Sequence, residues 1–187
     1  MSRRRWWPVA ALTLAGAAVF GHGAYILVKA EVAQVLLGRA WARTLDGEAE
    51  VRPWSWADTW PVARLEAPGH CVERIVLAGA SGAVLAFGPG HLDGSAAPGQ
   101  PSNTVLAGHR DTHFEFLRDL EPGDELTLED AAGVRRQYRV EGAWVVDHGD
   151  VSVLEPTAED RLTLATCCSL DAVVPGGPLA TSRAVRV

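Results

Sequence analysis

Three kinds of side chain in this sequence could share one reaction: a thiol, an imidazole and a guanidinium. Cys167 closes the apolar run "LTLAT", His109 follows the apolar run "NTVLAG", and the C-terminal run "RAVRV" supplies Arg183 and Arg186. A thiolate is a strong nucleophile, but a free thiol is largely protonated at neutral pH and needs a base or a nearby cation. An imidazole can exchange that proton and later deliver it to a departing amine. A guanidinium can hold a substrate backbone or a developing oxyanion, and losing one such donor costs on the order of 3 kcal/mol of transition-state stabilisation. If they converge, these groups are the parts for acyl transfer through a thioester.

Polar groups crowd around one of the three. The segment "GHRDTHF" gathers Arg110, Asp111 and His113 beside His109, a density that would be costly inside a core and belongs at the mouth of a barrel. Arg110, Asp111 and His113 are candidates for orienting His109 or contacting substrate, against the plainer reading of packing and loop hydrogen bonding, while Thr166, next to Cys167, is a candidate for touching the substrate peptide through its hydroxyl or backbone. The other histidines are His22, inside a long apolar run, and His70, His91 and His148 in turns. Cys71, Cys167 and Cys168 make an odd number, so at least one thiol stays free or pairs between chains. Adjacent cysteines bridge only through a strained ring, and neither C-x-x-C nor a zinc-spaced histidine pair is present, so no metal and no cofactor is expected. On an extended chain Cys168 points away from the side that Cys167 faces, and it and Cys71 read as passive.

The elements that must position these groups have β-type punctuation. Runs at 72–78, 83–87, 103–108, 124–130, 136–147, 161–166 and 183–187 are short, apolar or alternating, and most are separated by Gly, Pro, Asp or Ser clusters. Seven or so strands at this spacing suggest a closed barrel or a sandwich. Residues 112–120 could form one short helix, and "PGGP" at 175–178 reads as a loop bending over the site. The stretch "GEAEVRPWSWADTWPVARLEAPGH" reads as a Trp- and Pro-rich linker leading into a first strand.

The N-terminus is of another kind. From Trp6 to Val28 there are 23 residues without a charged side chain, between the cluster Arg3, Arg4, Arg5 and Lys29. That length suffices to cross roughly 30 Å of hydrocarbon as a helix. A cleaved signal has a shorter apolar core and a small-x-small site, for which "FGHGAY" is a poor match; a buried soluble helix is the third reading. The expected organisation is a cytoplasmic basic tail (1–5), a transmembrane anchor (6–28), a helical and Trp-Pro-rich linker (29–60) and a catalytic domain (61–187). Residues 45–187 hold 11 basic against 22 acidic side chains, a surface that repels phosphate backbones and excludes nucleic acid as a partner.

The stretches "NTVLAGHRDTHFEFLRDLEPGDEL" and "LTLATC…DAVVPGGPL" resemble the sortases, membrane-anchored cysteine transpeptidases whose shared signature is a strand ending in TLxTC. The longer form "GPGHLDG…PGQPSNTVLAGHRDTHF" is similar to the subgroup of Gram-negative bacteria called class GN. The resemblance covers roughly residues 30–187. It implies a mainly β fold, a sortase-type eight-stranded β-barrel with short helices, preceded by an N-terminal transmembrane helix. It also implies Cys167 as nucleophile, His109 as the histidine of the GH motif and Arg183 as the arginine on the strand after the cysteine. Two departures stand out: relatives carry an aromatic residue where Cys168 stands, and place the arginine directly after "PGGPL", where "ATS" intervenes here. Arg183 and Arg186, three apart on one strand, point to opposite faces, so one at most faces the site.

The implied reaction cleaves an LPxTG-like C-terminal sorting signal after its Thr and passes the acyl group to an amine. The implied partners are a protein bearing that signal, an amine acceptor and the inner membrane, with the catalytic domain in the periplasm. Two alternatives are a hydrolytic cysteine peptidase on the same barrel and a membrane-anchored binding module without catalysis.

Overall fold

The computed structural model describes the backbone of residues 6–147, 150–167 and 179–186, and their side chains except residues 8, 18, 23–27 and 179–186. Arg3, Arg4, Arg5, His148, Cys168 and the loop at 175–178 lie outside the described residues, as do the side chains of Arg183 and Arg186.

The chain opens with a single helix, α1 (Trp7–Leu45), with a proline in its first turn, where the missing N–H costs nothing. Its C-terminal half carries Ala33, Leu37, Ala40, Trp41 and Thr44 at helical three- and four-residue spacing, and all five are buried. Leu37 packs on Leu77 and Val84, with Ile75 and Phe87 beside them, and Gln34 Nε2 donates to the carbonyl of Phe87 at 2.9 Å. The N-terminal half has no such cover: Trp7, Leu12, Leu14, Val19 and Phe20 are exposed. Among the described residues no helix is long and apolar enough to cross a membrane.

The rest is mainly β. The strands are β1 (Pro61–Ala67), β2 (Val72–Ala78), β3 (Gly90–His91), β4 (Asn103–Ala107), β5 (Glu125–Asp130), β6 (Arg135–Val146), β7 (Arg161–Cys167) and β8 (Leu179–Arg186). Their order around the sheet is β1-β2-β3-β4-β7-β8-β6-β5, and antiparallel pairing of β1 with β5 closes it into a barrel. Seven strands of at least five residues carry this sheet, while β3 is a two-residue link between β2 and β4. Closure leaves these strands without a free edge.

Strand alternation explains the core. β1 alternates buried and half-buried positions, sending Ala63, Leu65 and Ala67 inward to meet Val76, Leu106, Leu126, Leu128, Tyr138, Val140, Leu162 and Leu164. β4 and β7 behave differently, buried over nearly every residue, as expected of strands covered on both faces. They pair in parallel, Asn103 with Arg161 through Ala107 with Ala165.

Four details depart from the sequence expectations, and β8 begins at Leu179, four residues before the run expected at 183–187. The first strand, β1, begins at Pro61, the expected start of the catalytic domain, yet it lies in the Trp- and Pro-rich stretch before 72–78, where no strand run is read. The apolar run at 83–87 is no strand: α2 (Gly82–Leu85) occupies it, capped by Ser81, whose Oγ accepts the Val84 N–H at 3.4 Å. A short apolar run cannot by itself distinguish the two structures. The helix expected at 112–120 shrinks to a 3-10 turn, Glu115–Arg118. The pairing of β3, two residues long, left no sequence signal.

Candidate active site

The parallel pair β4 and β7 leads to the two candidate residues at the same end. Ala107 faces Ala165 at the last register position; Cys167 ends β7 two residues later, and His109 follows two residues past the end of β4, which runs the same way. Neighbouring strands lie roughly 5 Å apart. Both residues are exposed, and Cys167 is a free thiol. The thiol and imidazole thus emerge from one end of a closed, buried platform.

The backbone before them is fastened. The N–H of Gly108 donates to the carbonyl of Ala165 at 3.1 Å, and the hydroxyl of Thr166 donates to the carbonyl of Gly108 at 2.8 Å. On its other side Gly108 meets the ring of Phe114, so close that an added Cβ would lie 2.8 Å from ring carbons. Only glycine fits there. The loop then folds back on itself, the N–H groups of Phe114 and Thr112 donating to the carbonyl of His109 at 3.0 and 3.3 Å. Phe114 is 1% exposed and stacks edge-on to Phe116 in the core, anchoring the turn.

The remaining candidates separate. Arg110 and Asp111 pair with each other, Nε to Oδ1 at 2.9 Å and Nη2 to Oδ2 at 3.2 Å, and that bond holds the Asp111 carboxyl below its ordinary pKa. His113 is half-buried. Burial, then the charge of Arg74, lower its pKa, and the nearby His109 adds to the effect. It borders a polar cleft of about 260 Å³ that also includes His70, Arg74, Thr112, Glu115 and Asp119. Thr166 is buried, its hydroxyl already given to Gly108.

For the arginine, the backbone gives a register position only. Arg183 stands opposite Thr163 on β7 and Gly142 on β6, while Arg186 stands opposite Tyr138 on β6. Ala180, the position directly after "PGGPL", stands opposite Thr166.

One feature beneath the site escaped the sequence reading. Thr163 Oγ1 donates to Asn103 Oδ1 at 2.8 Å, and Asn103 Nδ2 donates to the carbonyl of Val153 at 2.7 Å, all three residues being buried. This relay ties β7 and β4 to the 3-10 turn Val151–Leu154 that leads into β7. The polar residues "NT" and "T" inside two otherwise apolar strands were its only trace. Among the described residues no three His, Cys, Asp or Glu side chains gather as a metal site.

Comparison with known proteins is consistent across sequence and fold. The family model described as the Sortase domain matches residues 65–185. Sortase D of Bacillus subtilis (strain 168) is 35% identical over 104 residues, covering 55% of this chain; the chain spans about half, 52%, of that relative's length. Among solved structures, a Clostridium perfringens Sortase D5 transpeptidase superposes with a TM-score of 0.60 at 25% identity, covering 68% of this chain and 79% of that one. Sortase A from Corynebacterium diphtheriae superposes with a TM-score of 0.62 at 29% identity, covering 76% and 67%.

Proposed function

The chain belongs to the sortase family of cysteine transpeptidases, and from that premise we propose that it cleaves an LPxTG-like sorting signal after its Thr and joins the acyl fragment to an amine. Sortases act on protein substrates that carry cell wall sorting motifs. The observation that supports the reading is the parallel register of β4 and β7, whose last paired residues, Ala107 and Ala165, each precede a candidate group by two residues, so that His109 and Cys167 follow at the same end of the pair.

In this reading the Cys167 thiol gives its proton to His109 and its sulfur attacks the carbonyl carbon of the substrate Thr, forming a C–S bond as the carbonyl oxygen takes up negative charge. Arg183 holds the substrate backbone or that oxygen. Collapse of the intermediate breaks the peptide C–N bond, and His109 protonates the departing glycine amine. An incoming amine then attacks the thioester and loses a proton to His109, and the thiol is regenerated as the new amide forms. The motif "GPGHLDG…PGQPSN" supports placement in the class GN subgroup.

We also propose that residues 6–28 anchor the protein in the inner membrane, N-terminus in the cytoplasm and catalytic domain in the periplasm. The support is the uncharged run, its helical backbone in α1 and its exposed apolar side chains. Within that run the side chains of residues 8, 18 and 23–27 lie outside the described set. Just beyond it Lys29 and Val32 share an apolar groove with Trp54 and Trp56, the latter 82% exposed, a residue type that favours the membrane–water interface.

The decisive experiment incubates the protein with LPxTG-like peptides and reads intact mass, with Cys167→Ala as control, before adding candidate amines. A thioacyl adduct in the wild type alone, discharged faster by an amine than by water, is the expected result. No adduct, or one persisting in Cys167→Ala, defeats the mechanism; discharge by water alone makes the protein a peptidase. Extraction of membranes with alkaline carbonate tests the anchor, which fails if the protein is released.

A further inference from the structure

The reaction above uses Cys167 and His109 and leaves Thr166 idle, although Thr166, the residue before Cys167, is hydrogen-bonded to Gly108, the residue before His109. It is 5% exposed, and its bond to the carbonyl of Gly108 joins residues 58 apart in sequence. That carbonyl belongs to the peptide unit linking Gly108 to His109. A peptide unit is planar and includes both flanking Cα atoms, so fixing its oxygen fixes the Cα of His109. The N–H of Gly108 is held in turn by Ala165, at 3.1 Å, and the ring of Phe114 closes the remaining side.

A hydroxyl has one proton to donate. Thr166 gives it to Gly108 in the interior, and turning it toward a bound peptide would strip a buried carbonyl of its partner. We infer that Thr166 is a positioning residue for His109, acting through the Gly108 carbonyl, and not a donor to the substrate. The inference rests on the reading of His109 and Cys167 as proton carrier and nucleophile. It gives the Thr of "TLATC" a role in aligning the histidine that follows the neighbouring strand with the cysteine that follows it.

The test combines Thr166→Val and Thr166→Ser with His109→Ala in the full chain. The rate of Cys167 alkylation by iodoacetamide, located by peptide mass, is followed across pH alongside acyl-enzyme formation. Misplacing the imidazole predicts that Thr166→Val slows both by about tenfold or more with an altered pH profile, while Thr166→Ser returns them to within about twofold of wild type. In the His109→Ala background the Val substitution changes the alkylation rate by less than about twofold, since the group it positions is gone. Thermal unfolding accompanies each variant, and Thr166→Ala replaces the Val variant if that does not fold. An equal effect of the Val substitution in both backgrounds, no effect in either, or no rescue by Ser overturns the inference alone. Acyl-enzyme formation that survives His109→Ala overturns the assignment of the histidine and the inference with it.

Discussion

Asn103 and Thr163 meet across β4 and β7 through a buried 2.8 Å hydrogen bond, and the same amide reaches the carbonyl of Val153 at 2.7 Å. One side chain therefore joins the two strands that carry the site to the turn that flanks them. Asn103→Ala strands the Thr163 hydroxyl and the Val153 carbonyl in the interior, and is expected to cost about 1–3 kcal/mol of stability. Urea unfolding measures it, and a wild-type midpoint would show that the relay contributes nothing.

Gly108→Ala forces a methyl group against Phe114 at 2.8 Å. The expected loss is about 1–3 kcal/mol, accompanied by slower acyl-enzyme formation because His109 is the next residue. Adding Phe114→Leu should recover part of the stability by opening space. A Gly108→Ala protein as stable and as active as the wild type would mean that the loop yields freely.

Arg183 and Arg186 occupy different register positions on β8, opposite Thr163 on β7 and Tyr138 on β6 respectively. Arg183→Ala is expected to slow acyl-enzyme formation by roughly 100-fold or more, and Arg186→Ala to leave it nearly intact. Single-turnover kinetics with a sorting-signal peptide separates the two. The reverse pattern would transfer the role to Arg186.

Acid should weaken the barrel through Asp130. Burial pushes its pKa up, but the 2.6 Å bond from Arg136 and the N–H groups of Val134 and Ala132 outweigh burial and leave it below the ordinary value. The unfolded chain therefore takes up this proton first as pH falls, so the contribution is complete above about pH 4 and is lost below it. Asp130→Asn should be less stable at neutral pH and show a shallower decline between pH 4 and 2 in thermal melts. Parallel curves for the two proteins would remove Asp130 from the account.

His113 gives a second acid window at milder pH. Burial and Arg74 lower its pKa, so the unfolded state binds the proton first, and stability declines as pH drops below about 6.5. His113→Gln should flatten the melting temperature between pH 7 and 5, and an unchanged slope would contradict this assignment.

Sequence legibility followed the range of the forces involved. The strand expected at 72–78 coincides with β2, and those at 103–108 and 161–166 match β4 and β7 to within one residue, the last two because burial on both faces writes a continuous apolar run. β1 was hidden, since its small inward residues Ala63 and Ala67 carry little hydrophobic signal. The helix at 112–120 failed for a tertiary reason: the N–H of Phe114 turns back to His109, and the Phe114 ring is drawn under Gly108. Cys167 and His109 stood out as chemical types at strand ends, whereas their place at the same end of one strand pair needed the parallel pairing of strands 58 residues apart. The Asn103 relay and the bond from Thr166 to Gly108 are equally long-range, and nothing local announces them.

α1 is one unbroken helix from Trp7 to Leu45, and its last turns are clamped to the barrel by Leu37, Ala40 and Trp41. Such a helix is a ruler and a compass at once. Each residue inserted between Val28 and Ala33 would lift the barrel by about 1.5 Å and swing it by about 100° around the helix axis. One added residue would turn the Cys167 end to a new heading relative to the uncharged segment, while four would raise it by about 6 Å and bring it back to within about 40° of its original heading. The height and azimuth at which the nucleophile faces outward are therefore encoded in the residue count of a short stretch that takes no part in the chemistry.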